Sequence, residues 1–209
     1  MTENLTTYGW ASASAPESCG YITPTVLRII RALGARLVCD VGSGNGALVA
    51  AARDAGLYAV GIEPDADGVM HSREQLPGVN FYNLSVEDDP APVLQNEGQV
   101  FDAVVSTEVV EHLYSPRLLP IFARGLLGPG GHLLVSTPYH GYLKNLALAG
   151  SNKWDAHHTP LWEGGHIKFW SRATLTRLLE ENGFEVVSFH GTGRLPWLWK
   201  SMILVARAV

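Results

Sequence analysis

Two groups of residues in this chain have types and spacings that could do chemistry. The first is the run Asp40-Val41-Gly42-Ser43-Gly44-Asn45-Gly46, an acid followed by three glycines at alternate positions. Glycines let the backbone turn sharply and come close to a ligand, and a helix expected to begin near Asn45 points unsatisfied N–H groups at it. The spacing departs from the dinucleotide pattern Gly-x-Gly-x-x-Gly. A pyrophosphate calls for bare N–H groups and no adjacent carboxylate, whereas the Asp40 carboxylate suits a ligand carrying a cationic ammonium or sulfonium. About 17 residues beyond the last glycine, Glu63 closes a second apolar run, a position from which an acid can accept both hydroxyls of a ribose. The plainer alternative makes Asp40 a turn former and Glu63 a helix N-terminal acid.

The second group is Glu108-Val109-Val110-Glu111-His112. If this turn is helical, its acids and histidine sit at i, i+3 and i+4 and share one face. Bare carboxylates crowded there repel, but together with an imidazole they suit a hard or borderline divalent cation. Two other readings stand beside the metal: His112 as a metal-free general base, and a turn that only packs and caps. His157 and His158 are further candidate bases. Trp154, Trp162 and Trp170 are candidates to stack on an aromatic acceptor or to close a hydrophobic cluster.

These groups need elements to place them. Apolar spacing predicts a helix over Ile22–Leu33, preceded by an arm carrying Tyr8, Trp10 and Tyr21 that either flaps over a pocket or packs elsewhere. The first strand is expected from Leu37 to Cys39, with Asp40 where it emerges, and the second over Tyr58–Ile62. A helix to about Gln75 and a third strand near Val79–Tyr82 follow. Gln99–Ser106 reads as the fourth strand and Pro116–Leu127 as a helix. The turn Gly128-Pro129-Gly130-Gly131 introduces a fifth strand over His132–Thr137. Between Pro138 and Phe169 lies a connection long enough to be a functional lid. Ser171 caps a helix to about Asn182, stopped by Gly183, and two strands follow, Phe184–His190 and Trp199–Arg207.

At 209 residues and 46% hydrophobic content, the chain can build one α/β domain but not a second of ordinary size. Its expected divisions are an arm and helix (1–34), a ligand-binding core (35–137), a lid (138–170) and a closing helix with its strand hairpin (171–209). Two cysteines give no disulfide framework, and Cys39 reads as an apolar filler. A net charge of −5 argues against a broad nucleic-acid surface. No membrane span or targeting segment is read, so a soluble cytoplasmic protein, monomer or homodimer, is expected.

In this order, the stretches DVGSGNG, GIEPD and FDAVVSTEVVEH resemble the class I S-adenosylmethionine-dependent methyltransferases, over roughly Val38 to Val209. The resemblance implies an α/β fold, a doubly wound Rossmann-like sheet, seven-stranded and mostly parallel, with the final strand inserted antiparallel. It implies S-adenosyl-L-methionine as cofactor. Asp40, Gly42, Ser43, Gly44 and Gly46 would surround its methionine and sugar portions, Glu63 its ribose, and Ser85 and Val86 its adenine, with Thr107 beside it. The Glu-x-x-Glu-His pattern is similar to that of two groups, the ubiquinone-biosynthesis O-methyltransferases and the small-RNA terminal 2′-O-methyltransferases, where it implies a bound divalent ion. The first group also carries a Gly-x-His element after the fifth strand, matched here by Gly164-Gly165-His166. The implied metal ligands are therefore Glu108, Glu111, His112 and His166, the ion magnesium or zinc, and the catalytic set Glu111, His112 and His166. The lid departs from that group in its extra tryptophans and histidines, so the quinone-precursor substrate is not carried over. The expected activity is O-methylation of a small hydroxylated acceptor such as a catechol, phenol or sugar. Terminal RNA 2′-O-methylation and a non-catalytic cofactor-binding regulatory module are the alternatives, and a nicotinamide dehydrogenase is least favoured.

Overall fold

The computed structural model describes residues 17–158, 160–162 and 164–209; the expected flap residues Tyr8 and Trp10 lie outside them. Helix α1 (Cys19–Leu33) starts three residues before the predicted Ile22 and ends at Gly34, whose φ of 70° lets its N–H turn back to the Arg31 carbonyl. Strand β1 (Leu37–Val41), helix α2 (Ala47–Asp54), strand β2 (Tyr58–Ile62), helix α3 (Ala66–Gln75) and the two-residue β3 (Phe81–Tyr82) follow as parallel βα units. Asp40 lies inside β1 rather than at its exit. A helix not anticipated, α4 (Ala91–Glu97), precedes β4 (Phe101–Thr107). Then come α5 (Leu118–Leu126) and β5 (Leu127–Pro138). The register between β4 and β5 jumps from Phe101 opposite Leu127 to Ala103 opposite His132, so the predicted glycine turn is an interruption of the ladder inside β5.

Beyond β5, helices α6 (Tyr142–Gly150) and α7 (Trp154–His158) occupy the long connection. Helix α8 (Arg172–Glu180) opens with a reciprocal capping box between Ser171 and Thr174. It leads into β6 (Phe184–Thr192) and β7 (Ser201–Ala208). The seven strands form one sheet in the order β3-β2-β1-β4-β5-β7-β6, with β7 antiparallel to both neighbours. Alternating side chains feed an apolar layer on each face. Leu133, Val135 and Leu204 meet Phe122 of α5 and Leu175 of α8, while Leu134 and Ile203 meet Val26 and Ile30 of α1. Trp170 belongs to the first of these layers, its indole N–H directed at the Val110 carbonyl at 3.4 Å, so it is a core residue rather than an acceptor-stacking one. Among the described residues, no helix is long and apolar enough to cross a membrane.

Candidate active site

Parallel strands β1, β2 and β4 all deliver their carboxyl ends to one edge of the sheet, where ligands bind in open α/β folds. The glycine loop after β1 is pinned to the end of β2, because the N–H groups of Gly42 and Ser43 both donate to the Ile62 carbonyl, at 2.8 and 3.0 Å. Gly42 has a φ of 80°, and a β-carbon there would stand 2.3 Å from a Val109 methyl. Gly46, with φ 79°, caps α2, and Ser72 Oγ of α3 donates to the Gly44 carbonyl at 3.1 Å.

Two buried acids face this loop. Glu63 accepts from Gly44 N–H at 2.8 Å through one oxygen and from Asp65 N–H at 2.9 Å through the other, leaving each oxygen a further lone pair. Its burial pushes the carboxyl upward in pKa while those two N–H groups pull it back. Asp40 is held differently. It is 3% exposed, its Oδ1 has no hydrogen-bond partner among the described residues, and burial, with the Glu63 charge adding, pushes its pKa up to about 8. A buried carboxyl left in this state is complementary to an incoming cation. Ser43 Oγ is likewise buried without a partner among the described residues. Ser85 and Val86 are half-buried beyond β3, with Ser85 N–H bonded to Asp88 at 2.7 Å; Thr107 is half-buried at the end of β4. Asn83 escaped the sequence reading. Its amide donates to the Glu63 and Pro64 carbonyls at 3.0 and 2.8 Å, joining the chain after β3 to the end of β2.

The turn after β4 is not the helix that would line up both acids. Glu108 has a left-handed φ of 55°, and its carboxylate is drawn back to the sheet by Ser136 Oγ at 2.8 Å and Ser201 Oγ at 3.1 Å. Burial raises its pKa to about 7 against those two bonds. The structure instead brings together Glu111, His112 and His166, with one ligand atom from each within 4.8 Å of the others; Glu108 stands outside that group. Glu111 is fully buried, and neither carboxylate oxygen has a hydrogen-bond partner among the described residues. Burial and then the Glu108 charge drive its pKa well up; Thr137 opposes this without reaching hydrogen-bond geometry. His166 Nε2 lies 4.0 Å from Glu111 Oε1, and the His112 and His166 rings meet edge to face at 4.9 Å.

His112 Nδ1 lies 2.9 Å from the Gly164 carbonyl and 3.2 Å from that of Gly165. Carbonyls only accept, so Nδ1 carries the proton and Nε2 is the basic nitrogen, the arrangement that orients an imidazole as a ligand or base. The backbone adds a second tie, since the Ile167 and Lys168 N–H groups both donate to the Glu111 carbonyl at 3.0 Å. Trp162 packs against the His112 and His166 rings, while Trp154 packs on His158. Next to the trio is a cavity of about 240 Å³ lined by Tyr21, Glu108, Lys144, His157, His166 and Arg194, among others. Lys144 is buried, and that burial, helped by Arg194, lowers its pKa to about 8.

An acid-led glycine loop and a sheet of this order, with its antiparallel seventh strand, define the class I methyltransferase architecture. A family model described as a methyltransferase domain matches residues 22–189, and the chain belongs to that family. The ubiquinone biosynthesis O-methyltransferase of Dinoroseobacter shibae is 31% identical over 159 residues, covering 74% of this chain and 62% of that protein. The mitochondrial ubiquinone biosynthesis O-methyltransferase of Rattus norvegicus is 29% identical over 175 residues, covering 78% and 49%. The chain thus spans only about half to three fifths of the length of these relatives. The CcbJ methyltransferase of Streptomyces caelestis shares the fold at a TM-score of 0.69 and 19% identity, with 99% of this chain and 100% of that one aligned.

Proposed function

We propose that this chain is an S-adenosylmethionine-dependent methyltransferase of one domain that methylates a hydroxyl of a small molecule, with a divalent ion at Glu111, His112 and His166. The observation that carries the metal is the Glu111 carboxylate, fully buried beside two imidazoles and without a hydrogen-bond partner among the described residues. A carboxylate so placed is costly unless it is protonated or meets a cation. Glu108 is near enough for its charge to act on Glu111 and would join the ligands only by leaving its serines. Magnesium and zinc both fit a mixed oxygen and nitrogen donor set, zinc with the closer match to imidazole.

The Asp40 carboxylate, whose Oδ1 has no partner among the described residues, is suited to the cationic methionine end of the cofactor, and the second lone pairs of Glu63 to its ribose hydroxyls. Ser85 and Val86 are assigned to the adenine edge, while Gly42, Ser43, Gly44, Gly46 and Thr107 form the surrounding wall. The cofactor supplies a methyl group already activated by its sulfonium, so the protein is left to align the acceptor oxygen in line and to take its proton. A divalent ion, when bound, lowers the pKa of a coordinated hydroxyl. His112 Nε2 would be a ligand of that ion when it is bound and is the candidate base when it is not, and the segment carrying Trp162 and His166 covers the reacting atoms from water. The cavity beside His166 is the proposed acceptor site, and its Lys144 and Arg194 would favour an acceptor with anionic character.

Glu111→Gln combined with His112→Ala tests this reading. Calorimetry should find S-adenosylmethionine affinity within about threefold of the parent, since no residue of the glycine loop changes, while methyl transfer to a catechol panel is lost. Intact transfer in that variant would sink the metal and base assignments together. Failure of the parent chain to bind S-adenosylmethionine or S-adenosylhomocysteine would sink the whole assignment.

A further inference from the structure

A second set of imidazoles meets where the chain leaves β5. His140 stands two residues past the end of that strand, and His157 and His158 close α7; one ligand nitrogen from each lies within 4.8 Å of the others. His140 stacks on His158 with centroids 5.5 Å and planes 18° apart, and His157 meets the same two rings at 6.0 and 4.9 Å. All three are half-buried, and His158 Nε2 is buried with no hydrogen-bond partner among the described residues. Two aromatic rings pack against them. Phe169 approaches His140 and His158 edge to face at 5.2 and 5.0 Å, and Trp154 lies over His158 at 4.3 Å.

We infer that His140, His157 and His158 form a second metal site, distinct from the Glu111 group, that takes a borderline divalent ion of the zinc type. Three imidazoles bring nitrogen donors and no negative charge. Burial and the neighbouring Lys144 keep all three rings neutral near pH 7, the state in which imidazole is a ligand. Lys144 faces all three rings and Arg194 faces His157, while Asp155 is the acid near His158. A hard ion such as magnesium, held by charge and oxygen, gains nothing from that setting; zinc, held by nitrogen donation, does. Zinc–nitrogen bonds of about 2.1 Å in a tetrahedron put the donor atoms about 3.4 Å apart, within reach of nitrogens that already lie within 4.8 Å of one another.

Three protein ligands leave a fourth position open. His157 lines the same cavity as His166, so that open position adjoins the proposed acceptor site. Binding there would also fasten α7 to the exit of β5. The inference rests on the histidine geometry alone and does not require the methyltransferase reading.

The test is zinc titration of the chelator-stripped full chain by calorimetry, with cobalt as a coloured substitute. The Glu111→Gln, His112→Ala variant should still bind one zinc. His140→Ala with His158→Ala should bind that ion at least tenfold more weakly, with circular dichroism unchanged, and His157→Gln alone should also weaken it. X-ray absorption of the zinc-loaded Glu111→Gln, His112→Ala protein should show imidazole nitrogens at about 2.0 Å. Absence of zinc binding in that folded variant overturns the site, as does undiminished zinc affinity when His140→Ala and His158→Ala are added to it. A parent that binds a single zinc, kept when Glu111 and His112 are changed, would support this site while removing the metal from the proposed function.

Discussion

Asp40 concentrates the chemistry of the cofactor half in one side chain. Its carboxyl has a pKa near 8 in the fold against 3.8 in a free chain, so between those values the folded state without cofactor holds a proton that the unfolded state has lost. Stability is therefore given up as pH rises from about 4 through about 8, the reverse of an acid held in a salt bridge. Asp40→Asn removes the charge but not the volume. Without cofactor, its melting temperature should gain on that of the parent between about pH 5 and about pH 8.5, and equal shifts at both would show that Asp40 is not a buried acid. With S-adenosylmethionine the effect should invert. Loss of the carboxylate should weaken binding at least tenfold, about 1.4 kcal/mol, in isothermal titration.

At the level of elements, the glycine loop makes the sharper prediction. Gly42→Ala forces a side chain into a left-handed backbone and into the Val109 methyl, and should cost on the order of 1–3 kcal/mol in denaturant unfolding as well as cofactor affinity. An unchanged midpoint would mean that the turn after β4 yields freely. The same loop shows why parts of the fold were legible in the sequence. Strands β1, β2, β4 and β5 are apolar runs ending in turn residues, and α8 announces itself through Ser171. Helix α4 was missed because it is seven residues long with only Val93 buried, which leaves little helical periodicity to read. The third strand was drawn too long because only Phe81 and Tyr82 pair with β2. Asp40 and Glu63 could be picked out because apolar strand runs lead into them, and Glu111 because of its spacing from Glu108 and His112. Glu108 could not be placed correctly: its left-handed backbone and its bonds to Ser136 and Ser201 come from strands distant in sequence. Asn83 and the His140, His157 and His158 cluster carry no local pattern.

Across the whole molecule, ionisation divides the sheet from the segment that covers it. His140, His157 and His166 have pKa values lowered to about 4 from 6.5, with burial the leading cause for each. The folded state therefore binds fewer protons than an opened one, and the stability of this covering segment is lost as pH falls from about 6.5 through about 4. Hydrogen exchange on chelated protein should show amides of α7 and of residues 164–169 opening as pH is lowered from about 7 to about 5, after correction for intrinsic exchange, while β4 stays protected. Uniform protection throughout would mean that the histidines titrate without loosening the cover.

The place of β7 has a consequence for how the chain is born. It is the last of the seven strands to leave the ribosome, yet it lies between β5 and β6 and pairs with both along its length. Until it emerges, β5 has an open edge and β6 has no partner in the sheet, so the earlier strands must wait with apolar faces exposed. Emergence of β7 is thus the event that closes this sheet between β5 and β6.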